Sequence, residues 1–272
     1  MLQGFHRPST VPEALHMMAS LGDDAFFLAG GTELNHKNSP LCPQHLISLA
    51  GLDLGGVASS GDGVVIGAMA TFQELGDCRA LPSVLRRAAF RLVNRNVRNV
   101  ATVGGQLAAG KSCADLIPAL VALEARVLLR TLHGSGAWEV QDYVTCKPTG
   151  LIVAVELPLP SPQRGFGLAN FTRTHNDLSV LTCAAALHRY DGQVQDPLLA
   201  MGGVAATVIR LEAVEQTLAG KPLPARAALE ALIAGTVRPI DDLRGSAAFK
   251  RQLAASLGAD AILDAWNKAG EC

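Results

Sequence analysis

Two stretches of the chain set a glycine pair beside a hydrogen-bonding side chain. The first is Leu28-Ala29-Gly30-Gly31-Thr32, the second Ala101-Thr102-Val103-Gly104-Gly105-Gln106. Each reads as a β-prone segment running into Gly-Gly. Without a Cβ, successive amides can converge on an anion, and the neighbouring hydroxyl or carboxamide adds a donor. Two such loops facing one another could hold a pyrophosphate, each backbone contact contributing about 0.5–1.5 kcal/mol. The alternative is a pair of ordinary tight turns, for which glycine is the usual residue. Neither stretch matches G-x-G-x-x-G or the P-loop, so a Rossmann or Walker phosphate site is not supported.

Asp115 lies nine residues beyond Gln106, just before an apolar run. Two readings stand there: a helix N-cap, or a carboxylate accepting a hydrogen bond from the ribose or adenine of a nucleotide. No residue is nominated as a catalytic acid or base. His175 is the tempting one, but an imidazole on an exposed loop usually has no chemical role. Arg86, Arg87, Arg91, Arg95 and Arg98 form a basic run without an acid. It is either a solvated helix face or a surface on which a partner docks.

An α+β framework must position these residues. Thr10-Val11-Pro12-Glu13 is a capping-box pattern opening a helix with apolar Leu15, Met18 and Ala19, closed near Gly22. Residues 25–28 form a buried strand feeding the first glycine pair, and 45–49 a second strand. Asp62-Gly63 between β-prone runs predicts a hairpin within 56–70. Thr71 with Glu74 opens a helix and 81–90 forms another. Residues 94–115 would make a poor solvated helix. An apolar helix over 116–123 and strands at 127–129 and 151–157 follow. Pro158, Pro160 and Pro162 then forbid further ladder pairing, and the domain boundary is placed there. Beyond it come paired strands at 171–173 and 178–187, a turn at Asp191-Gly192 and another glycine pair at Gly202-Gly203. Helices are expected at 210–219, 224–234 and 246–269, the last interrupted by Gly258.

Bulk properties narrow the function classes. The 272 residues are 49% hydrophobic and 17% charged, which is a globular composition. A net charge of −1 argues against a nucleic-acid surface built on bulk charge, and 4% aromatic content against base-stacking platforms. The cysteines at 42, 78, 113, 146, 183 and 272 include no C-x-x-C pair, so neither zinc nor an iron–sulfur cluster is expected on this chain. They are read as free thiols in a reducing cytoplasm. The N-terminal residues lack the apolar segment of a secretory signal. The greasiest stretch, 116–129, contains Glu124 and Arg126 and is too short to span a bilayer. The expectation is a soluble, cytoplasmic protein.

The segment ATVGGQLAAGKSCADLIPALVALEARV resembles the signature of the FAD-binding medium subunits of molybdenum hydroxylases, the xanthine dehydrogenase and carbon monoxide dehydrogenase family. The resemblance continues in order along the chain. FHRPSTVPEAL is similar to the family's opening, LAGGTEL to its first FAD loop, GVVIGAMATFQEL to a strand and helix start, and IVAVELPLP to the strand leaving the flavin domain. FTRTHNDLSVLTCAAAL, MGGVAATVIRLEAVEQTLAG and DDLRGSAAFKRQLAASL resemble three segments of the C-terminal domain.

This resemblance implies a PCMH-like (vanillyl-alcohol-oxidase-type) FAD-binding domain over 1–160, built of αβ subdomains of about 1–52 and 53–160. A small α+β C-terminal domain, antiparallel sheet plus helices, would occupy 161–272. It implies FAD held by Ala29, Gly30, Gly31, Thr32, Glu33 and Leu34 on one side and Thr102, Val103, Gly104, Gly105 and Gln106 on the other. Asp115 would hold the adenosine end, with Leu92 and Ile152 as apolar neighbours of the flavin. Electrons would come from the iron–sulfur clusters of a small partner, themselves reduced by a molybdopterin-bearing large partner. They would leave to an acceptor such as NAD, oxygen, ferredoxin or quinone. The chain departs from the family at Glu33 (commonly Asp or Ser), at Asn35-His36 (commonly Leu-Pro) and at Gln106 (commonly Asn). It also lacks the lysine that some relatives carry between Phe171 and Asp177. Two other readings remain open here: a self-contained flavin oxidase, and an assembly or scaffold subunit that has lost FAD.

Overall fold

The computed structural model describes residues 2–36, 39–61, 63–92, 94–174 and 177–270. Asp62 of the expected hairpin turn, His175 and Cys272 lie outside the described residues. The chain opens with a small parallel sheet, β1 (Gly4–His6), β2 (Ala25–Leu28) and β3 (His45–Ser48), in the order β1-β3-β2. The crossover is α1 (Val11–Leu21). Its Thr10 hydroxyl accepts from the Glu13 amide as expected, at 3.3 Å. The Glu13 carboxylate reaches one residue further back than a capping box requires, to the Ser9 amide at 2.7 Å. Ala14, Leu15, Ala25 and Ile47 are buried between helix and sheet. Sequence reasoning missed β1, whose three residues carry no alternation to detect.

A second sheet, wholly antiparallel, is made of β4 (Val57–Ser60), β5 (Gly63–Gly67), β6 (Arg126–Thr131), β7 (Gly134–Glu139) and β8 (Leu151–Pro158). Their order is β4-β5-β8-β6-β7. Six short helices accompany it: α2 (Phe72–Asp77), α3 (Ser83–Arg91), α4 (Arg95–Arg98), α5 (Val103–Ala109), α6 (Leu116–Ala122) and α7 (Val140–Cys146). The Thr71–Glu74 capping box at the head of α2 is fully formed. Every residue of α6 is buried, which explains a helix with no polar face.

The third sheet is also antiparallel, with β9 (Gly165–Phe171), β10 (Leu181–Tyr190), β11 (Gln193–Gly202) and β12 (Ile209–Arg210) in the order β12-β11-β10-β9. The two-residue β13 (Lys221–Pro222) pairs with the start of β11. The helices α8 (Glu212–Leu218), α9 (Arg226–Thr236) and α10 (Ala247–Lys268) cover one face. Alternate residues of β10 serve two cores. Ala184 and Ala186 join the core of the second sheet, whereas Leu181, Cys183, Ala185 and Leu187 join the core beneath α8 to α10. A strand buried on both faces has no solvated phase, hence the run LTCAAAL, apolar but for Thr182.

Contrary to the sequence expectation, Gly258 does not interrupt α10, which is continuous over Ala247–Lys268. It makes room for α9 instead: a Cβ there would meet Ile233 Cδ1 at 2.8 Å. Gly165 and Gly167 do the same for β9 under α10. A Cβ on Gly167 would lie 1.9 Å from the Ala261 carbonyl oxygen. Gly167→Ala should therefore destabilise the chain by about 2–3 kcal/mol, because backbone and not a flexible side chain would have to move. Gly235→Ala, where no atom lies within 4 Å of the added carbon, should stabilise it by up to about 1 kcal/mol through helix propensity. Urea unfolding of the two variants should show midpoint shifts of opposite sign.

Candidate functional site

The first glycine pair closes β2. Gly30 is a glycine for an intramolecular reason: a Cβ would fall 1.6 Å from the Val100 carbonyl oxygen. The backbone that approaches there is the chain's own. Gly31 is different, with a left-handed φ of +69°. Around it, among the described residues, no backbone or side-chain acceptor takes a hydrogen bond from the amides of residues 29–34. Pairing resumes at Asn35, whose amide donates to the Gly31 carbonyl at 2.9 Å. Ala29, Gly30, Gly31, Glu33 and Leu34 are all partly withdrawn from solvent. These six successive donors, in the bend and turn that follow β2, are available to an anion.

The second stretch is not the strand and loop that its sequence suggests. Thr102 is the N-cap of α5, and Val103, Gly104, Gly105 and Gln106 are its first turn. Their amides are spent inside the protein. Val103 donates to the Ala70 carbonyl at 3.0 Å and Gly104 to that of Ala68 at 2.8 Å. Gly105 donates to Thr102 Oγ1 at 3.1 Å and Gln106 to the Thr102 carbonyl at 3.0 Å. Gly104 is small because Ala68 Cβ would sit 2.8 Å from its side chain. The missed signal was Thr102 itself, a good N-cap residue. The structure does bring the two stretches together: the side-chain direction of Gly105 meets Ala29 Cβ at 4.0 Å.

Asp115 stands at the N-cap position of α6, as one reading of the sequence has it, but not as a side-chain cap. Its backbone is helical, and the carboxylate makes no capping bond. The Gln106 carboxamide does that work, accepting from the Leu116 amide at 3.2 Å. Asp115 is 2% exposed. Thr182 Oγ1 donates to its Oδ1 at 2.8 Å, and the Ser179 hydroxyl also bonds to it. Burial raises the pKa of this carboxyl, opposed by the two hydroxyls and by the positive charge of Arg91. Leu92 and Ile152 are both buried in the core of the second sheet.

Residues 110–115 form a strap between α5 and α6, tied on every side. Lys111 Nζ pairs with Glu33 Oε2 of the first loop at 2.6 Å. Ser112 Oγ donates to the Ala205 carbonyl at 2.6 Å and accepts from the Gly203 amide at 3.1 Å. Arg244 Nη2 reaches Cys113 Sγ at 3.2 Å. Sequence reasoning missed Lys111, Ser112, Ser179, Thr182 and Arg244, whose partners lie far away in the chain.

Residues 1–160 match the model of the FAD binding domain in molybdopterin dehydrogenase, and residues 168–265 that of the CO dehydrogenase flavoprotein C-terminal domain. The chain belongs to the family of FAD-binding medium subunits of molybdenum hydroxylases. It is 35% identical to YgfM of Escherichia coli (strain K12) over 273 residues, 100% of this chain and 99% of that one. It is 29% identical to the carbon monoxide dehydrogenase medium chain of Hydrogenophaga pseudoflava over 281 residues, 96% of each chain. A solved carbon monoxide dehydrogenase from Hydrogenophaga pseudoflava, lacking the Mo-pyranopterin moiety of its molybdenum cofactor, is similar at a TM-score of 0.91 with 28% identity. That match covers 99% of both chains. The family's cofactor is FAD, and the row of amides at residues 29–34 fits the anionic middle of such a dinucleotide. Among the described residues no helix is long and apolar enough to cross a membrane, and no cluster of His, Cys, Asp and Glu fits a metal ion.

The raised pKa of Asp115 has a signed consequence. The folded chain holds this proton more tightly than the unfolded chain, so wild type loses stability as the pH rises from the ordinary carboxylate value, about 3.9, to the raised one. Asp115→Asn removes that dependence. Urea unfolding across acid to neutral pH should show the variant gaining on wild type through this window and holding a constant difference above it.

Proposed function

We propose that this medium subunit holds FAD with its pyrophosphate on the amides of Ala29, Gly30, Gly31, Thr32, Glu33 and Leu34. The single observation that supports this most is the run of donors at residues 29–34 without a protein acceptor. Thr102, Val103, Gly104, Gly105 and Gln106 act from behind: their spent amides fix the position of α5, and Gly105, where a Cβ would meet Thr102 Oγ1 at 2.9 Å, lets that turn close beside Ala29. Leu92 and Ile152 supply apolar wall for the flavin ring. Asp115 fixes the domain junction at the adenosine end. Glu33 faces Lys111 across the loop, so the family's departure at this position is compensated within the chain.

Bound FAD supplies the electron chemistry, as hydride or as single electrons, which no side chain here offers. The chain's residues bind, orient and exclude water. In this reading, electrons arrive from the iron–sulfur clusters of a small partner, reduced in turn by a molybdopterin-bearing large subunit. They leave to an external acceptor: NAD, oxygen, ferredoxin or quinone. Substrate oxidation belongs to the large subunit.

The test is the visible flavin spectrum of the purified chain, with released cofactor identified by mass. Gly31→Ala strains the left-handed position, and the atom nearest the new carbon is the flexible Asn35 Nδ2 at 2.9 Å. Flavin retention should weaken about tenfold while the thermal midpoint changes little. Undiminished flavin in this variant would overturn the placement. A change at Gly104 would be uninformative, since it pushes on Ala68. Co-purification with an iron–sulfur partner separates the relay from a self-contained oxidase.

A further inference from the structure

The segment from α2 to α4 is the most asymmetric in charge of the molecule. Between Phe72 and Val100 it carries Arg79, Arg86, Arg87, Arg91, Arg95 and Arg98 with no lysine, against Glu74 and Asp77, a net of +4 in a chain of −1. Both acids are turned to internal work. Glu74 closes the α2 capping box, and Asp77 accepts from Gln73. Part of the arginine set is structural as well. Arg86 donates to the Gly76 carbonyl, Arg87 pairs with Asp264, and Arg98 spans Gln73 and the Leu92 carbonyl. Of the run, Arg86 and Arg98 are partly withdrawn from solvent and Arg87, Arg91 and Arg95 are exposed. Among the described residues, Arg79 and Arg95 are exposed and make no hydrogen bond or ion pair; Arg91 is exposed too, but its charge also acts on the Asp115 carboxyl. Arg91 also lies one helical turn from Arg87 on α3, a like-charge spacing that costs a few tenths of a kcal/mol. Beside these cations Phe90 is 43% exposed, packed on Gly76 and lying under Arg98.

Arginine and an aromatic ring without lysine are the composition of a protein-docking surface. The sign of the patch selects an acidic partner. Its position selects what kind. The segment ends at Val100, 47% exposed, whose carbonyl is the atom that the first FAD loop packs against at Gly30. A protein seated on the patch would lie next to that loop. We propose that α2 to α4 form the docking surface for an acidic one-electron carrier protein of the ferredoxin type, which serves as the external acceptor. This rests on the relay reading above and narrows its acceptor. Each docked carrier leaves with one electron, so the two electrons from one substrate oxidation reduce two carriers in succession, and the two protons pass to solvent. Charge steering suits such brief encounters, speeding association without requiring a large interface.

The test is calorimetric titration of the 272-residue chain with an oxidised acidic plant-type ferredoxin, at low and at physiological salt. Flavin content is measured on the same samples. Binding should be saturable and should weaken at least about tenfold on raising the salt, and again in the Arg79→Glu/Arg95→Glu double variant. That variant should keep the wild-type flavin content and thermal midpoint. Absence of binding at low salt, binding indifferent to the charge reversal, or equally tight binding of a duplex oligonucleotide would each overturn the proposal. Ferredoxin binding by a chain without flavin would leave the docking surface standing and remove the cofactor reading instead.

Discussion

Everything near the site hangs on the strap of residues 110–115. It is short, begins at the left-handed Gly110, and carries a polar side chain at Lys111, Ser112 and Asp115. Each of these reaches a different part of the molecule: the first loop through Glu33, the turn at Gly203 and Ala205, and the head of β10 at Thr182. The Asp115 bond is the strongest of these. A buried charged acceptor with hydroxyl donors is worth about 1.5–3 kcal/mol per bond, set against the cost of taking the carboxylate out of water. The Glu33–Lys111 pair is part-exposed on both sides and contributes at most about 1 kcal/mol. The strap is thus firmly fixed to the C-terminal sheet and lightly fixed to the N-terminal loop.

The firm side is supported by the two-faced sheet. Because β10 and β11 give alternate residues to two cores, the C-terminal sheet cannot shift without disturbing both. Small residues make this possible. Ala184 and Ala186 face the flavin domain's core, and Gly165 and Gly167 admit α10 to backbone contact on the far side. Close approach on both sides gives dense dispersion contact with few large side chains. It accounts for a protein with so little aromatic content and so much alanine.

Local chemistry was legible in the sequence wherever one short stretch sufficed. Ala25–Leu28 as a strand, the α2 capping box and the apolar helix α6 are such cases. What failed did so for a common reason. Thr102 to Gln106 reads as strand and loop because glycine and β-branched residues disfavour helix, yet tertiary bonds to Ala68 and Ala70 hold the segment as a first helical turn. Gly258 reads as a break because its local propensity is poor, yet its value lies in the contact with α9. Asp115 reads as a cap because it precedes a helix, yet Gln106 reaches α6 first. In each case a partner distant in sequence outweighed a preference of under about 1 kcal/mol.

The two glycine pairs end in opposite roles, and donor accounting separates them. Composition made them equivalent: Gly-Gly, a polar neighbour, an apolar lead-in. In the fold, residues 103–106 have given every amide to the protein, whereas residues 29–34 have given none among the described residues. The first state makes a rigid back wall, and the second leaves donors available to solvent or to a bound group. Gly30 belongs to the wall as well, pressed on Val100, whereas Gly31 is required by its left-handed backbone. Glycine therefore carries two meanings within a few ångströms: close approach at Gly30, Gly104 and Gly105, and backbone handedness at Gly31.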